Sequence, residues 1–213
     1  MKLENKVICF LGDSITEGHG TSAPDKKFSE LIYKKCKLAA AYNYGIGGSR
    51  IARQSTKSEN PRWDMDFCGR YTEMKDNADV VFVFGGTNDY GHGDAPIGCF
   101  DDRTPDTFYG GLHYLMSGLI EKYPEAVIVF ATPLHRGGDM NTRDGRPNLR
   151  AFRDMIMEVA EYYSIPVLDL WSMSGLSTNS PVICEKYVPD KLHPNDAGHV
   201  VLADRIIGFL QAL

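Results

Sequence analysis

Short, continuous apolar runs alternate with longer amphipathic segments along this chain. Val7-Ile8-Cys9-Phe10-Leu11, Val80-Val81-Phe82-Val83-Phe84 and Ala126 to Ala131 are apolar at every position. That is the pattern of strands buried on both faces of a parallel sheet, not of strands with one wet face. Ile165-Pro166-Val167-Leu168 gives a fourth strand and Ala41-Tyr42-Asn43-Tyr44 a weaker fifth. Between them lie helical patterns at about Phe28 to Leu38, Thr107 to Tyr123, Leu149 to Tyr163 and Asn195 to Leu213. Thr104-Pro105-Asp106 and Pro194-Asn195-Asp196 put a proline and an acidic residue where helices start. In the last segment Val200, Val201, Ala203, Ile206, Ile207 and Leu210 recur near helical spacing, so one face packs against the sheet. Strand, helix, strand repeated four or five times predicts an α/β sandwich around a parallel sheet with right-handed crossovers. Its functional edge is the one where the strands end.

Two long stretches interrupt this rhythm, Ile46 to Lys75 and Tyr90 to Asp106, and both follow predicted strands. Loops of that length in a compact domain are commonly functional. The chain has 213 residues, 43% hydrophobic and 24% charged, the composition of a globular protein, and residues 1–213 read as a single domain. Lys and Arg number 23 against 28 Asp and Glu, a net charge of −5. The short basic clusters, Lys26-Lys27 and Lys34-Lys35, are no footprint for a nucleic acid. The charge also argues mildly for a neutral substrate. No apolar run approaches the roughly 20 residues of a membrane span, and Lys2, Glu4 and Lys6 leave no room for a signal-peptide core, so the expected location is cytoplasmic. The five cysteines are widely spaced and never C-x-x-C, which indicates reduced thiols and no metal site.

The residues that carry chemistry collect after the strands. Ser14, in Gly12-Asp13-Ser14-Ile15-Thr16-Glu17-Gly18, stands just past the first strand, where an α/β protein exposes a hydroxyl to a ligand; a helix N-cap is the plainer reading. In Asp190-Lys191-Leu192-His193-Pro194 a carboxylate three residues before a histidine reaches its ring if the segment turns. After the second and third strands come Asn43-Tyr44-Gly45-Ile46-Gly47-Gly48-Ser49-Arg50 and Gly85-Gly86-Thr87-Asn88-Asp89-Tyr90. Glycine admits close backbone approach and an asparagine amide is a neutral donor, both suited to a developing oxyanion. Each segment alone could be turn chemistry, but all four converge on one edge of the sheet.

In these four segments the chain resembles the SGNH hydrolases, the GDSL family of esterases and lipases. Gly12-Asp13-Ser14-Ile15, Asn43 to Gly48, Gly86-Thr87-Asn88-Asp89 and Asp190 to Pro194 look like the family's first, second, third and fifth blocks, in order from residue 7 to about 200. The resemblance implies a flavodoxin-like three-layer α/β/α sandwich with a sheet of about five strands. It also implies a Ser14 nucleophile, a His193 general base, Asp190 orienting that base, and an oxyanion hole formed by the Ser14 N–H, the Gly48 N–H and the Asn88 amide. Alignment on Asn43 selects Gly48, with Gly47 as the fallback. Neither a metal nor an organic cofactor is implied.

Arg50, Trp63, Tyr90 and His92 are candidates for the substrate pocket, and Asp13 and Asp89 for organisers of their own turns. His92, His113, His135 and His199 show no metal-ligand spacing and read as solvated or core histidines. The expected activity is hydrolysis of a small acyl ester, an O-acetylated carbohydrate first, with lysophospholipids or acyl thioesters as alternatives. A homo-oligomer stays open. A different class of protein, a flavodoxin-like FMN or nucleotide module, would use Ser14, Thr16, Gly18, Gly20 and Thr21 to cradle a phosphate, but leaves His193, Asp190 and Asn88 without a role.

Overall fold

Apolar runs with no polar break have to be covered on both sides. In the computed structural model, which describes all 213 residues, they form the middle of one sheet. β1 (Val7–Gly12), β2 (Ala40–Gly45), β3 (Val80–Phe84), β4 (Val127–Ala131) and β5 (Val167–Leu168) lie in the order β2-β1-β3-β4-β5, every pair parallel. The helices are α1 (Ser14–Glu17), α2 (Phe28–Cys36), α3 (Phe67–Arg70), α4 (Thr87–His92), α5 (Phe108–Lys122), α6 (Leu149–Tyr162), α7 (Leu170–Met173), α8 (Pro181–Tyr187) and α9 (Asp196–Ala212).

Successive strand residues face opposite sides, and the core divides accordingly. Ile8, Phe10, Val80, Phe82 and Val129 pack with Phe28 and Ile32 of α2 and Leu202, Ile206 and Leu210 of α9. Cys9, Leu11, Val81, Val83 and Phe130 pack with Phe67 of α3, Leu112 and Leu115 of α5 and Phe152 and Ile156 of α6. This is the three-layer α/β/α sandwich expected from the sequence. No helix is long and apolar enough to cross a membrane.

Strand order fixes where a site can form. The chain leaves β1 for β2 on one side and then crosses to β3 on the other, which opens a crevice at the C-terminal ends of β1 and β3. Ser14 follows β1 directly and Asn88 follows β3 by four residues.

Boundaries differ from the sequence expectation where side chains decide them. Thr107 caps α5 by accepting the Gly110 N–H at 3.0 Å, and Asn195 caps α9 through the Gly198 N–H at 3.0 Å, so Pro105 and Pro194 both lie outside their helices. β5 shrinks to two residues, since Pro166 has no N–H to add to the ladder. The stretch expected as a loop from Tyr90 begins inside α4.

Burial separates the thiols: Cys9, Cys68 and Cys184 are buried, Cys36 is half-buried and Cys99 exposed, and none is in a disulfide. Under native conditions a thiol reagent should modify Cys99 quickly and Cys36 more slowly, and all five only after denaturation. Fast native reaction at Cys9 or Cys68 would contradict this packing.

Candidate active site

Asp13, not Ser14, caps α1. Its carboxylate accepts the Ile15 N–H at 3.0 Å, which leaves the hydroxyl and the N–H of Ser14, the first helical residue, unused by the helix. The Ser14 Oγ lies 3.0 Å from Nε2 of His193, and Nδ1 of His193 lies 2.7 Å from Oδ2 of Asp190. The other carboxylate oxygen, Oδ1, accepts the N–H groups of Leu192 at 2.8 Å and His193 at 2.6 Å. Lys191 adopts a left-handed conformation at φ 64°, which tightens the turn enough for the three-residue reach. Partial burial works against the Asp190 charge, but the bonds from the His193 backbone and ring and from Leu192 outweigh it and hold the carboxyl below its ordinary range.

Across from this line stands the loop after β2. Gly47 gives its N–H to Oε2 of Glu17 at 2.5 Å, whereas the Gly48 N–H makes no hydrogen bond within the protein. The geometry therefore favours Gly48 over Gly47 as a donor to a ligand. Gly48 has φ +78°, and a Cβ there would lie 2.0 Å from Cδ1 of Trp63, so only glycine fits. Asn88, near the start of α4, gives one amide proton to the Ser49 carbonyl at 3.0 Å and keeps the other free. The four segments converge, from sequence separations of up to 179 residues.

The model of the GDSL-like lipase/acylhydrolase family matches residues 10–201. The chain belongs to that family. Among solved structures, a protein from Lactobacillus plantarum is 30% identical with a TM-score of 0.85, the alignment covering 98% of each chain. A lipase/acylhydrolase from Enterococcus faecalis is 21% identical with a TM-score of 0.68, covering 97% of this chain and 96% of that one. A two-domain esterase (CEX) active on acetylated mannans is 22% identical with a TM-score of 0.63, covering 99% of this chain and half of that one. The last two identities speak for the fold alone. No curated protein sequence matches the chain.

In this GDSL-like chain two buried groups, Asp89 and Arg70, hold the loop after β2 through partners that sequence reading did not identify. Asp89 accepts the N–H groups of Ile51 at 3.0 Å and Ala52 at 3.0 Å, so beyond its own turn it organises a loop 37 and 38 residues away. Arg70, buried behind the sheet edge, donates to the carbonyls of Gly12 and Tyr44 and to the Ser49 hydroxyl. Burial lowers its guanidinium to about 10, against the attraction of Asp13. Only its position beside aromatic Phe67 in a long loop could have hinted at this role.

The pocket candidates separate. Trp63 and His92 lie together, ring centroids 4.6 Å apart, on a recess of about 220 Å³ next to Gly48. Desolvation and then the Arg50 charge push the His92 ring down to about 4, so it is neutral at pH 7. Arg50 backs that recess, but its guanidinium is taken up by Asp64, Ser58 and the carbonyls of Trp63 and His92. Tyr90 does not line the pocket. The extension of α4 turns it inward against Phe152, and its hydroxyl donates to the carbonyls of Gly138 and Asn141. Nor is the loop after β1 shaped to cradle a phosphate: Thr16 is fully buried, and Thr21 spends its hydroxyl on the Gly18 carbonyl at 2.6 Å. His113 and His199 are core histidines, the latter accepting the Phe28 N–H at 3.1 Å.

Asp13 and Asp89 are both buried under the site. Burial raises Asp13 to about 7, against the Ile15 N–H and with added repulsion from Asp89, and burial raises Asp89 to about 6. The native state thus keeps a proton on Asp13 that the unfolded chain releases near pH 4. That stability is complete below about pH 4 and is lost as pH rises through about 7, at up to about 1.4 kcal/mol per pH unit. In Asp13→Asn, which keeps an acceptor for Ile15, urea unfolding between pH 4 and 8 should lose this falling component. A variant with the same slope as wild type would show that Asp13 is ionised throughout.

Proposed function

We propose that this protein is a serine esterase of small acyl esters, with Ser14 as nucleophile, His193 as general base and Asp190 as the carboxylate that orients and stabilises the imidazole. The observation that carries this reading is one continuous line, Asp190 Oδ2 to His193 Nδ1 at 2.7 Å and His193 Nε2 to Ser14 Oγ at 3.0 Å.

The chemistry follows from those positions. His193 Nε2 takes the hydroxyl proton as Ser14 Oγ attacks the ester carbonyl carbon, and the carbonyl electrons move onto oxygen. The N–H groups of Ser14 and Gly48 and the free amide proton of Asn88 meet that oxyanion. When the carbonyl re-forms, the bond to the leaving oxygen breaks and the imidazolium gives its proton to the departing alcohol. Water, deprotonated by the same ring, then attacks the acyl-enzyme and releases the acid and the free serine. Every proton in this cycle moves through His193 Nε2, so the scheme draws on no other group for acid or base.

An O-acetylated carbohydrate is the substrate class we favour. The recess beside Gly48 is small and holds polar groups next to the Trp63 and His92 rings. It shares Thr56 and Ser58 with a wider recess of about 530 Å³ lined by polar and charged side chains and one proline. Such walls suit hydroxyls, and the wider recess has no aliphatic or aromatic side chain to hold a long acyl chain. The CEX esterase, similar in fold, is active on acetylated mannans.

Covalent labelling and steady-state kinetics test the reading. A fluorophosphonate should label wild type and not Ser14→Ala, and p-nitrophenyl acetate hydrolysis should vanish with the label. Asn88→Ala should lower kcat by about 10²–10³-fold while KM changes little. Undiminished hydrolysis in Ser14→Ala would move the chemistry away from this site. For the substrate class, acetylated sugars and p-nitrophenyl acetate should outrun p-nitrophenyl octanoate; a preference for octanoate would point instead to a lipid or thioester substrate.

A further inference from the structure

Glu17 belongs to none of the roles so far described, yet its carboxylate sits where the parts of the site meet. It closes α1, the helix that starts at Ser14. Oε2 accepts the Gly47 N–H at 2.5 Å, Oε1 accepts from Nη2 of Arg62 at 2.6 Å, and Nε2 of His19 lies 3.3 Å from Oε2. The His19 ring is 5.5 Å from that of His193, and Arg62 directly precedes Trp63. Glycines make the approach close enough: a Cβ on Gly45 would lie 2.1 Å from the Glu17 nitrogen, and one on Gly47 would lie 2.9 Å from Oε2. Nucleophile helix and donor loop thus pack backbone to backbone, with the carboxylate as the clasp.

We infer that Glu17 is a positioning residue of the oxyanion site: by engaging the Gly47 N–H it fixes the loop so that the next N–H, that of Gly48, stays unpaired and faces Ser14. The inference rests on the esterase reading and deepens it. Without an acceptor at Gly47 the peptides on either side of it are free to rotate, and either of two neighbouring N–H groups could turn toward the oxyanion. An oxyanion hole works by holding its donors in place before charge develops, so such freedom weakens transition-state binding more than substrate binding. Partial burial opposes the Glu17 charge, but the bonds from Arg62 and Gly47 prevail and hold the carboxyl below its ordinary range, which keeps it an acceptor at neutral pH. The exposed pair with Arg62 alone would contribute little.

The test compares Glu17→Ala, Glu17→Gln and Arg62→Ala with wild type on p-nitrophenyl acetate, together with the affinity for an alkylboronic acid that forms a tetrahedral adduct with the serine. Glu17→Ala should lower kcat roughly 10²-fold, the scale of a misplaced catalytic group. KM and thermal midpoint should change little, and boronate affinity should fall by about the same factor as kcat. Glu17→Gln, which keeps an oxygen for Gly47, should lie between. Arg62→Ala should stay within about threefold of wild type if the backbone bond and not the ion pair carries the effect. The inference is overturned if Glu17→Ala keeps kcat and boronate affinity near wild type, or if its loss merely tracks the unfolded fraction seen by near-UV circular dichroism. Absence of Ser14-dependent hydrolysis in wild type would strike the esterase reading itself, before any Glu17 variant is compared.

Discussion

The guanidinium of Arg70 ties together the ends of β1 and β2 and the loop that follows β2, and the site depends on that tie. At the C-terminal edge of a parallel sheet the last carbonyls run out of strand partners, and burying them unpaired is expensive. Arg70 donates to the Tyr44 carbonyl, to the Gly12 carbonyl, which also accepts the Ile46 N–H at 3.1 Å, and to the Ser49 hydroxyl beyond them. A planar fork with five donors can span three chain segments at once, which a lysine ammonium cannot do with the same geometry. The adjacent carboxyl of Asp13 compensates part of the buried charge once it ionises above about pH 7.

From that tie the rest of the loop after β2 follows. Residues 47 to 52 are held at successive points by Glu17 at Gly47, Arg70 at Ser49 Oγ, Asn88 at the Ser49 carbonyl and Asp89 at Ile51 and Ala52. Every one of these bonds restrains a backbone or side-chain group next to Gly48 without using its N–H. Rigidity around a single unsatisfied donor is the arrangement an oxyanion site requires, since a donor that must first be freed from another partner gives back part of what it contributes. The same bonds explain why Gly12, Gly45 and Gly47 lie so close to α1 and its glutamate.

The sheet was legible because its signal is local. Continuous apolar runs at β1, β3 and β4 admit few readings, and the helices of nine or more residues were visible by period. One-turn helices such as α1, α3 and α4 carry no such period. They are too short to persist alone and form because tertiary bonds hold them, as Asp66 does for α3 by accepting the Gly69 N–H at 2.6 Å. That is why Tyr90 was misplaced: read as loop it faces a ligand, and read as the fourth residue of a helix it turns into the core. The converging residues Ser14, Asp190 and His193 could be picked out because a short motif surrounds each. Arg70 and Glu17 could not, since the partners by which they reach the loop after β2 and its neighbours lie 21 to 58 and 30 to 45 residues away in sequence.

Charge near the site shows a related limit of composition. The net charge of −5 suggested a neutral substrate, yet Arg50, Arg136, Arg143 and Arg146 all gather around α4. Arg50 and Arg146 donate to neighbouring groups of the protein, while Arg143 makes no side-chain hydrogen bond and its Nε, like that of Arg136, is buried without a partner. Arg146 donates to the Asp89 carbonyl, Arg136 to Thr87, and the guanidinium groups of Arg136 and Arg143 lie over the Tyr90 ring at 5.8 and 5.0 Å. An arginine whose donors already close a helix end or cover a ring offers a ligand little beyond a screened field. Arg136 at Thr87 and Arg146 at the Asp89 carbonyl hold α4, and with it Asn88 and Asp89, in register with the loop after β2. The sign of the whole chain is therefore no guide to the charge that a ligand meets beside α4.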